Sequence, residues 1–367
     1  MSSSLSKIPP GVQYIFDSEA RVRRWIEREV MGVLAAWSYS EIILPIFDYA
    51  DLFALGMGKE QAEMTYRFTG RDGKLLALRP EMTSLVARTV ATRFREKPRP
   101  IRLSYSGEVF RWDEPRGGRQ YEFHQIGLEH IGSERLEADT EVLIVAIEAL
   151  RKLGVEGFTI ALSHVGFFNG IAERLQLDDG SRAVLKEMID RREADRLDEF
   201  LESFTDREQR AAFGRLTSLA GKCEIIDEAR QLVSNETSMA ALDELARVYR
   251  LAEALGLEQC IDIDLGDVAG LDYYTGLTFK IYAPGVGAAL GRGGRYDHLL
   301  EKFGNAEPAV GFSLCLDWLA EQIAPSFKSS SFAQPDDAVR LSSSGDLADV
   351  FTEAKRLRSE GRRVEII

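Results

Sequence analysis

The chain has 367 residues, of which 45% are apolar and 29% are charged. This length and apolar fraction predict two or three domains with a sizeable core, and they exclude a disordered, collagen-like or disulfide-knot protein. The 59 Asp and Glu outnumber the 46 Lys and Arg, and the resulting net charge of −13 argues against a general nucleic-acid binder.

Other features of the composition bear on location and cofactors. No apolar run approaches the roughly 18 residues of a membrane helix, and the start of the chain lacks the apolar segment of a signal peptide. The cysteines Cys223, Cys260 and Cys315 are odd in number and far apart, so we interpret them as buried small hydrophobic residues rather than a disulfide framework. The four histidines show no metal-ligand spacing. We therefore predict a cytoplasmic protein without membrane segment, metal or cofactor.

The first half of the chain predicts helices and a hairpin. Apolar residues at helical spacing predict a helix over residues 17–37, followed by a strand that ends at Pro45. Residues 75–79 are predicted to be extended, and Pro80 precedes a second amphipathic helix. Two short strands, a turn and a long strand over residues 101–132 predict an antiparallel hairpin.

The second half predicts a mixed unit with an insertion. The further elements are a helix over 134–153, strands over 157–163, 260–265 and 276–282, and a strand-helix pair over 309–323. Residues 171–259 are almost all helical in pattern, and their 13 basic and 20 acidic side chains give them a charge of −7. We predict a core from residues 1–170 and 260–325, an acidic helical insertion over 171–259, and a linker plus one small βαβ unit over 326–367.

The long strand of the hairpin carries a polar face. Gln125, Gly127 and Glu129 share that face because side chains alternate along a strand. A glycine between an amide and a carboxylate leaves room for a small ligand against the backbone, although a solvated sheet face explains the pattern equally well. Arg111 on the neighbouring strand could reach the same face or form a surface ion pair.

Three other segments carry candidate site residues. Glu81 and Thr83 of LRPEMT lie at a strand-to-helix junction, where they could bind an ammonium group or simply begin the helix. Tyr273 and Tyr274 of GLDYYTG are adjacent on an extended segment, so one ring could pack in the core while the other offers its hydroxyl to a pocket. The glycine-rich residues 291–297 are typical of either a phosphate-binding loop or a tight strand-to-helix turn.

In their order along the chain, these segments resemble histidyl-tRNA synthetase, a class II aminoacyl-tRNA synthetase, from about residue 9 to residue 323. EIILPIFD, GEVFRWDEPRGGRQYEF and PAVGFSLCLDWL are similar to the three class II motifs. LRPEMT, HQIGLE and GLDYY are similar to the segments that line the histidine pocket. The resemblance implies an α+β fold, with a class II antiparallel sheet flanked by helices, a helical insertion and a truncated C-terminal βαβ unit.

The resemblance also implies a histidine site without catalytic residues of its own. The implied site residues are Glu81, Thr83, Arg111, Gln125, Glu129, Tyr273 and Tyr274. Of these, Glu81, Thr83 and Gln125 would hold the α-amino group. Glu129 and one of the two tyrosines would contact the imidazole, and Arg111 would face the carboxylate.

Several arginines that the synthetase uses for amino-acid activation are replaced. Ala269 precedes GLDYY where the synthetase has an arginine, Trp318 stands at the end of the third motif, and Glu114 and Tyr121 replace arginines of the second. Because such cations stabilise the charge of the transition state, and each lost donor typically costs ~10² to 10³ in rate, we predict no activation chemistry. The single βαβ unit in place of an anticodon-binding domain predicts no tRNA partner.

A retained histidine pocket without activation resembles the regulatory subunits of ATP phosphoribosyltransferase, a family paralogous to the synthetase. That resemblance implies a non-catalytic protein that acts in the first step of histidine biosynthesis. It would form a homodimer within a hetero-oligomer, bind and enhance the short catalytic subunit, and confer feedback inhibition by histidine. The alternatives are an active histidyl-tRNA synthetase and a paralogue that forms another aminoacyl adenylate.

Overall fold

The computed structural model divides the chain into two compact units, Met1–Ile323 and Ala324–Ile367. The residues it describes are 7–57, 62–112, 121–202, 207–268, 273–327 and 338–367. No helix within these ranges has the length and apolar character needed to cross a bilayer.

The first unit contains two sheets and most of the helices. Its strands are β1 (Ser40–Glu41), β2 (Phe47–Tyr49), β3 (Arg67–Thr69), β4 (Leu75–Leu78), β5 (Ile101–Phe110), β6 (Glu122–Ile131), β7 (Thr159–His164), β8 (Ala220–Gly221), β9 (Ile261–Asp264), β10 (Leu277–Tyr282), β11 (Gly291–Arg295) and β12 (Ala309–Cys315). Its helices are α1 (Asp17–Ala36), α2 (Ala50–Met57), α3 (Thr83–Arg93), α4 (Leu136–Lys152), α5 (Val165–Arg174), α6 (Asp179–Asp190), α7 (Ala194–Leu201), α8 (Arg207–Leu216), α9 (Glu224–Arg230), α10 (Glu236–Ala254) and most of α11 (Leu316–Phe327), whose last turn passes the boundary at Ile323.

The central sheet has nine strands in the order β1-β5-β6-β12-β11-β10-β7-β9-β8. The pairs β1–β5 and β7–β9 are parallel and the other pairs are antiparallel. Strands β2, β4 and β3 form a separate antiparallel sheet. The predicted antiparallel sheet flanked by helices is confirmed.

Helix α1 covers one face of the central sheet. Its buried residues Val22, Ile26, Val30 and Leu34 recur every four positions, so they form one apolar stripe. That stripe packs against α4 and β5. The opposite face of the sheet carries the polar candidates, because residues on neighbouring strands that share a register position point to the same side.

The register across the central strands fixes what surrounds Glu129. Glu129 of β6 lies opposite Leu103 on β5 and Gly311 on β12, and Gly311 in turn lies opposite Gly294 on β11. Tyr105 of β5 lies opposite Gly127 in the same way. Glycines on three neighbouring strands therefore form a floor of backbone beside two buried polar side chains.

Two boundary predictions are wrong. The strand predicted to end at Pro45 is limited to Ser40–Glu41, because only these residues pair in parallel with β5. The two short strands predicted before the hairpin turn are one continuous strand, β5 (Ile101–Phe110), which pairs along its whole length with β6.

The glycine-rich segment is also not a loop or a turn. Gly291–Arg295 forms strand β11, inside the central sheet. A Cβ at Gly293 would lie 2.6 Å from the carbonyl oxygen of Gly311, and a Cβ at Gly294 would lie 2.7 Å from that of Leu277. Close contact with the neighbouring backbones thus requires glycine here, although glycine is a poor strand former.

The cysteine interpretation is wrong in part as well. Cys223 is exposed and Cys260 and Cys315 are half-buried, and all three are free thiols. Between residues 171 and 259 the described chain is mostly helical, with the short strand β8 as an exception. The assignment of this segment to a separate domain stays a prediction.

The second unit contains one strand-helix-strand motif. Strand β13 (Val339–Leu341), helix α12 (Leu347–Ser359) and strand β14 (Val364–Ile366) follow in order, and the two strands are parallel. Ala354 and Leu357 are the buried residues of α12. The Asp346 side chain caps this helix by accepting from the backbone N–H of Ala348.

Candidate ligand-binding site

Glu129 is the most deeply buried carboxylate of the candidate site, at 1% exposed. Tyr105 Oη donates to its Oε1 at 3.1 Å, Tyr296 Oη donates to its Oε2, and the Thr83 hydroxyl is a third partner. Burial raises the pKa of Glu129 to about 8, the negative charge of Glu81 adds to that rise, and the three hydroxyls oppose it. In the free protein this carboxyl therefore carries a proton at neutral pH.

Glycine geometry decides where Glu129 lies. A Cβ at Gly311 would be only 1.8 Å from Glu129 Oε2, so the missing side chain on β12 makes room for the carboxylate. Gly127 has a different role, because a Cβ there would lie 2.7 Å from Tyr105 Oη. The prediction that Gly127 leaves open backbone for a ligand is wrong, since the Tyr105 ring fills that space.

Glu81 precedes helix α3 and is buried. Its two carboxylate oxygens each accept from the backbone N–H of Ser84 at 3.0 Å, which satisfies a free donor of the first turn. Burial raises the pKa of Glu81, and the bonds to Ser84 and the charge of Arg111 oppose that rise. The carboxylate thus begins the helix and also lies within electrostatic reach of the site.

Arg111 follows strand β5 and is half-buried beside Glu81. Its Nε donates to the carbonyl oxygen of Pro80 at 2.7 Å, and its guanidinium lies 5.2 Å from the centre of the Phe123 ring. Burial and the nearby charge of Arg292 lower the pKa of Arg111, and Glu81 raises it. The guanidinium is therefore fixed by backbone and aromatic contacts close to a buried acid.

Tyr273 and Tyr274 lie together at the edge of this cluster. Tyr273 is buried and its ring is 5.6 Å from that of Tyr296, while Tyr274 is half-buried. The two rings meet edge to face at 5.1 Å, and Tyr273 is the more deeply buried of the two. Strand β10 begins only at Leu277, and the alternation of a strand does not apply to these two residues.

The cluster borders an open cleft. Its volume is about 260 Å³, and its lining residues are Asn169, Tyr273, Tyr274, Thr275, His298 and Lys302. Among the residues that the structure describes, no group of three or more His, Cys, Asp and Glu side chains is arranged to hold a metal ion.

Gln125 lies on the same face of β6, at the other end of the site. It lies four positions before Glu129, which corresponds to about 13 Å along a strand. The structure thus brings together Glu81, Thr83, Glu129 and Tyr273, places Arg111 beside the first of these, and leaves Gln125 apart on the same sheet face.

Two residues of the cluster were not among the sequence candidates. Tyr105 and Tyr296 are both buried and both contact Glu129. Tyr296 belongs to the glycine-rich segment, so a correct prediction of β11 would have drawn attention to it. Next to it, Arg295 forms a bidentate ion pair with Asp139 of α4 at 2.9 and 2.7 Å, which ties this end of β11 to the helix layer.

Positions where the sequence departs from the synthetase motifs have other contacts here. Tyr121 stacks on Trp112 with ring centres 4.9 Å apart, and its backbone N–H donates to Gly11 at 2.7 Å. Trp318 lies within α11. Glu114 and Ala269 lie outside the described residues.

The raised pKa of Glu129 makes the stability of the protein depend on pH. The folded state keeps this proton up to about pH 8, whereas the usual pKa is near 4.5. The group's contribution is therefore complete below pH 4.5 and is lost toward pH 8, at about 1.4 kcal/mol per pH unit. We expect Glu129→Gln to reduce the slope of unfolding free energy against pH by about that amount. Urea titrations between pH 5 and pH 8 measure it, and equal slopes in the two proteins would contradict the prediction.

Comparison with known proteins agrees with this fold. The family model described as histidyl-tRNA synthetase matches residues 11–319. A histidyl-tRNA synthetase structure from Nostoc sp. PCC 7120 has a TM-score of 0.78 and covers 99% of this chain and 86% of its own. At 19% identity it shows the fold alone. The fold and the matched family model define a protein of the histidyl-tRNA synthetase-like class.

More similar relatives narrow the family. ATP phosphoribosyltransferase regulatory subunits from Moorella thermoacetica and Geobacter sulfurreducens are 36% and 39% identical, over 99% and 83% of this chain and 93% and 70% of their own. A Bacillus halodurans structure described as an ATP phosphoribosyltransferase regulatory subunit/histidyl-tRNA synthetase has a TM-score of 0.87 at 27% identity, over 99% of this chain and 92% of its own. This chain belongs to the ATP phosphoribosyltransferase regulatory subunit family.

Proposed function

We propose that this protein is a non-catalytic histidine sensor that binds the short catalytic subunit of ATP phosphoribosyltransferase, enhances its activity and confers feedback inhibition. The observation that carries the proposal is the buried pair of carboxylates, Glu81 and Glu129, on the polar face of a synthetase-like sheet. Family membership supports the regulatory role in histidine biosynthesis.

The polar cluster suits a ligand with an ammonium group and an imidazole. Glu81 offers a carboxylate beside Arg111, which matches an ammonium group next to a carboxylate. Glu129 offers a second carboxyl, surrounded by hydroxyls, to a ring nitrogen. Gln125 lies on the same face, about 13 Å along the strand from Glu129, and the Tyr105 ring occupies the space over Gly127 between them.

Contacts at the replaced arginines support the absence of activation chemistry. Tyr121 is engaged in an aromatic stack with Trp112, and Trp318 offers only an indole N–H at its position. Neither residue can supply the positive charge that stabilises a phosphorane-like transition state. We therefore propose binding without adenylate formation.

An exposed apolar surface supports a homodimer as the core of the complex. Phe47, Tyr49 and Phe68 share one face of the β2-β4-β3 sheet and are 52%, 45% and 40% exposed, and Ile43 nearby in sequence is 89% exposed. A contiguous apolar surface of this kind is typical of an interface. A second copy of the chain is the occupant that we propose.

We expect Phe47→Asp to convert the dimer to a monomer, because it places a charge in the centre of that surface. Light scattering coupled to size-exclusion chromatography measures the mass. Phe351→Asp is the matched control, since Phe351 of α12 is 55% exposed and lies in the other unit. A dimer that survives Phe47→Asp would place the interface elsewhere.

Co-expression with a short catalytic subunit tests the whole proposal. We expect the two chains to co-purify, the transferase activity to rise in the complex, and histidine to inhibit it. Inhibition can be no larger than the difference in histidine affinity between two states of the complex. Histidine-dependent pyrophosphate exchange by the isolated protein would instead identify an active synthetase, and calorimetry without histidine binding would favour a paralogue that activates another amino acid.

A further inference from the structure

The surroundings of Glu129 contain hydroxyls rather than cations. Its hydrogen-bond partners are Thr83 of α3, Tyr105 of β5 and Tyr296 after β11. The groups that act most strongly on its carboxyl are these three hydroxyls and the Glu81 carboxylate, and none of them is a cation. A hydroxyl can donate to a carboxylate or accept from a carboxylic acid, so this arrangement accommodates Glu129 in either protonation state.

The other titratable groups of the cluster are Arg111, Glu81 and two tyrosines. Arg111 faces Glu81, and Tyr273 and Tyr274 face both carboxylates with neutral phenols. Strand β12 contributes only Gly311 next to Glu129. Among the described groups that act most strongly on Glu129, the proton on its carboxyl therefore has no cation to replace it.

We propose that Glu129 and the imidazole of bound histidine share one proton. Within a limited range of pH, binding then exchanges no protons with solvent, and outside that range it releases or takes up a proton. This inference rests on the proposed histidine site. In the shared state either the acid donates to a neutral ring nitrogen or the carboxylate accepts from an imidazolium. Both descriptions contain one proton and no net charge on the pair, which suits a buried site.

The limits of the range follow from the two free partners. Free imidazole titrates near pH 6.5, and the pKa of Glu129 is raised to about 8 by burial. Below the lower limit both partners arrive protonated, and one proton is released on binding. Above the upper limit both arrive deprotonated, and one proton is taken up. We expect affinity to fall about tenfold per pH unit on either side.

Calorimetric titration of the full-length protein with histidine, in buffers of different ionisation enthalpy, counts these protons directly. We expect about no exchange at pH 7.2, release of about one proton at pH 5.5 and uptake at pH 8.5. Glu81 and the ligand's ammonium group also titrate toward these extremes. Glu129→Gln is therefore measured in parallel, because it keeps those contributions but has no carboxylate to share a proton with the ring, so the proton uptake at pH 8.5 should be lost.

A second ligand keeps the test independent of the variant. 1,2,4-Triazolyl-3-alanine has the shape of histidine but its ring is not protonated at pH 5.5, so wild-type protein should release less than one proton on binding it at that pH. Proton exchange that is the same at all three pH values, with histidine still bound, would overturn the shared proton and leave the histidine site intact. Absence of histidine binding at every pH would overturn the site itself.

Discussion

Replacing Glu129 by alanine is expected to weaken histidine binding about 10- to 100-fold, because a buried hydrogen bond to a charged group contributes about 1.5–3 kcal/mol. The substitution also leaves the hydroxyls of Tyr105 and Tyr296 without their common partner. Isothermal titration calorimetry at pH 7.2 measures the change. Glu156→Ala, at an exposed glutamate, is the matched control and should leave affinity unchanged.

The same variant separates sensing from assembly. Glu129 is buried and cannot contact another protein directly. We therefore expect Glu129→Ala to co-purify with the catalytic subunit and to enhance it normally, while the complex loses most of its inhibition by histidine. Unchanged histidine affinity in a folded Glu129→Ala protein would show that this carboxylate is structural only.

Gly311→Ala is expected to lower the free energy of unfolding by about 3 kcal/mol or more, since overpacking a core forces neighbouring groups to move. Its Cβ would lie 1.8 Å from Glu129 Oε2 and 2.4 Å from the carbonyl oxygen of Leu128. The Glu129 side chain can move away, but moving the Leu128 carbonyl would disturb the hydrogen bonds of strand β6. Histidine binding should be lost together with stability.

Gly32→Ala is the matched control for that experiment. Gly32 lies inside helix α1, and a Cβ there meets nothing within 4 Å. Alanine is the better helix former by about 0.8–1 kcal/mol, so this variant should be slightly more stable than the wild type. Chemical unfolding of both variants measures their free energies of unfolding. Equal stability of Gly311→Ala and wild type would mean that β6 and β12 can move apart without loss of folding free energy.

Local sequence patterns predicted the helices and the polar face. Apolar spacing placed α1 within one residue of its observed end, because the stripe from Val22 to Leu34 reports directly on which side is buried. Strand alternation placed Gln125 and Glu129 on one face of β6 for an equally local reason.

Contacts between strands were not predictable in the same way. Register depends on which distant segments pair, and the sequence of β6 alone does not reveal that Tyr105 lies over Gly127 or that Gly311 lies beside Glu129. Strand β11 was missed because glycine is depleted in strands. The reason for its glycines is the approach of neighbouring backbones, which only the assembled sheet shows.

The glycine floor formed by Gly127, Gly294 and Gly311 limits which parts of the site can change conformation when a ligand binds. Main-chain atoms held by sheet hydrogen bonds have no rotamers to reorganise, so the backbone beneath Tyr105 and Glu129 is preorganised and is expected to stay the same on binding. A conformational change that reaches another subunit therefore has to begin in parts of the site that lie outside this glycine floor. We expect helix α3, which begins at the Glu81 carboxylate, to be one of those parts.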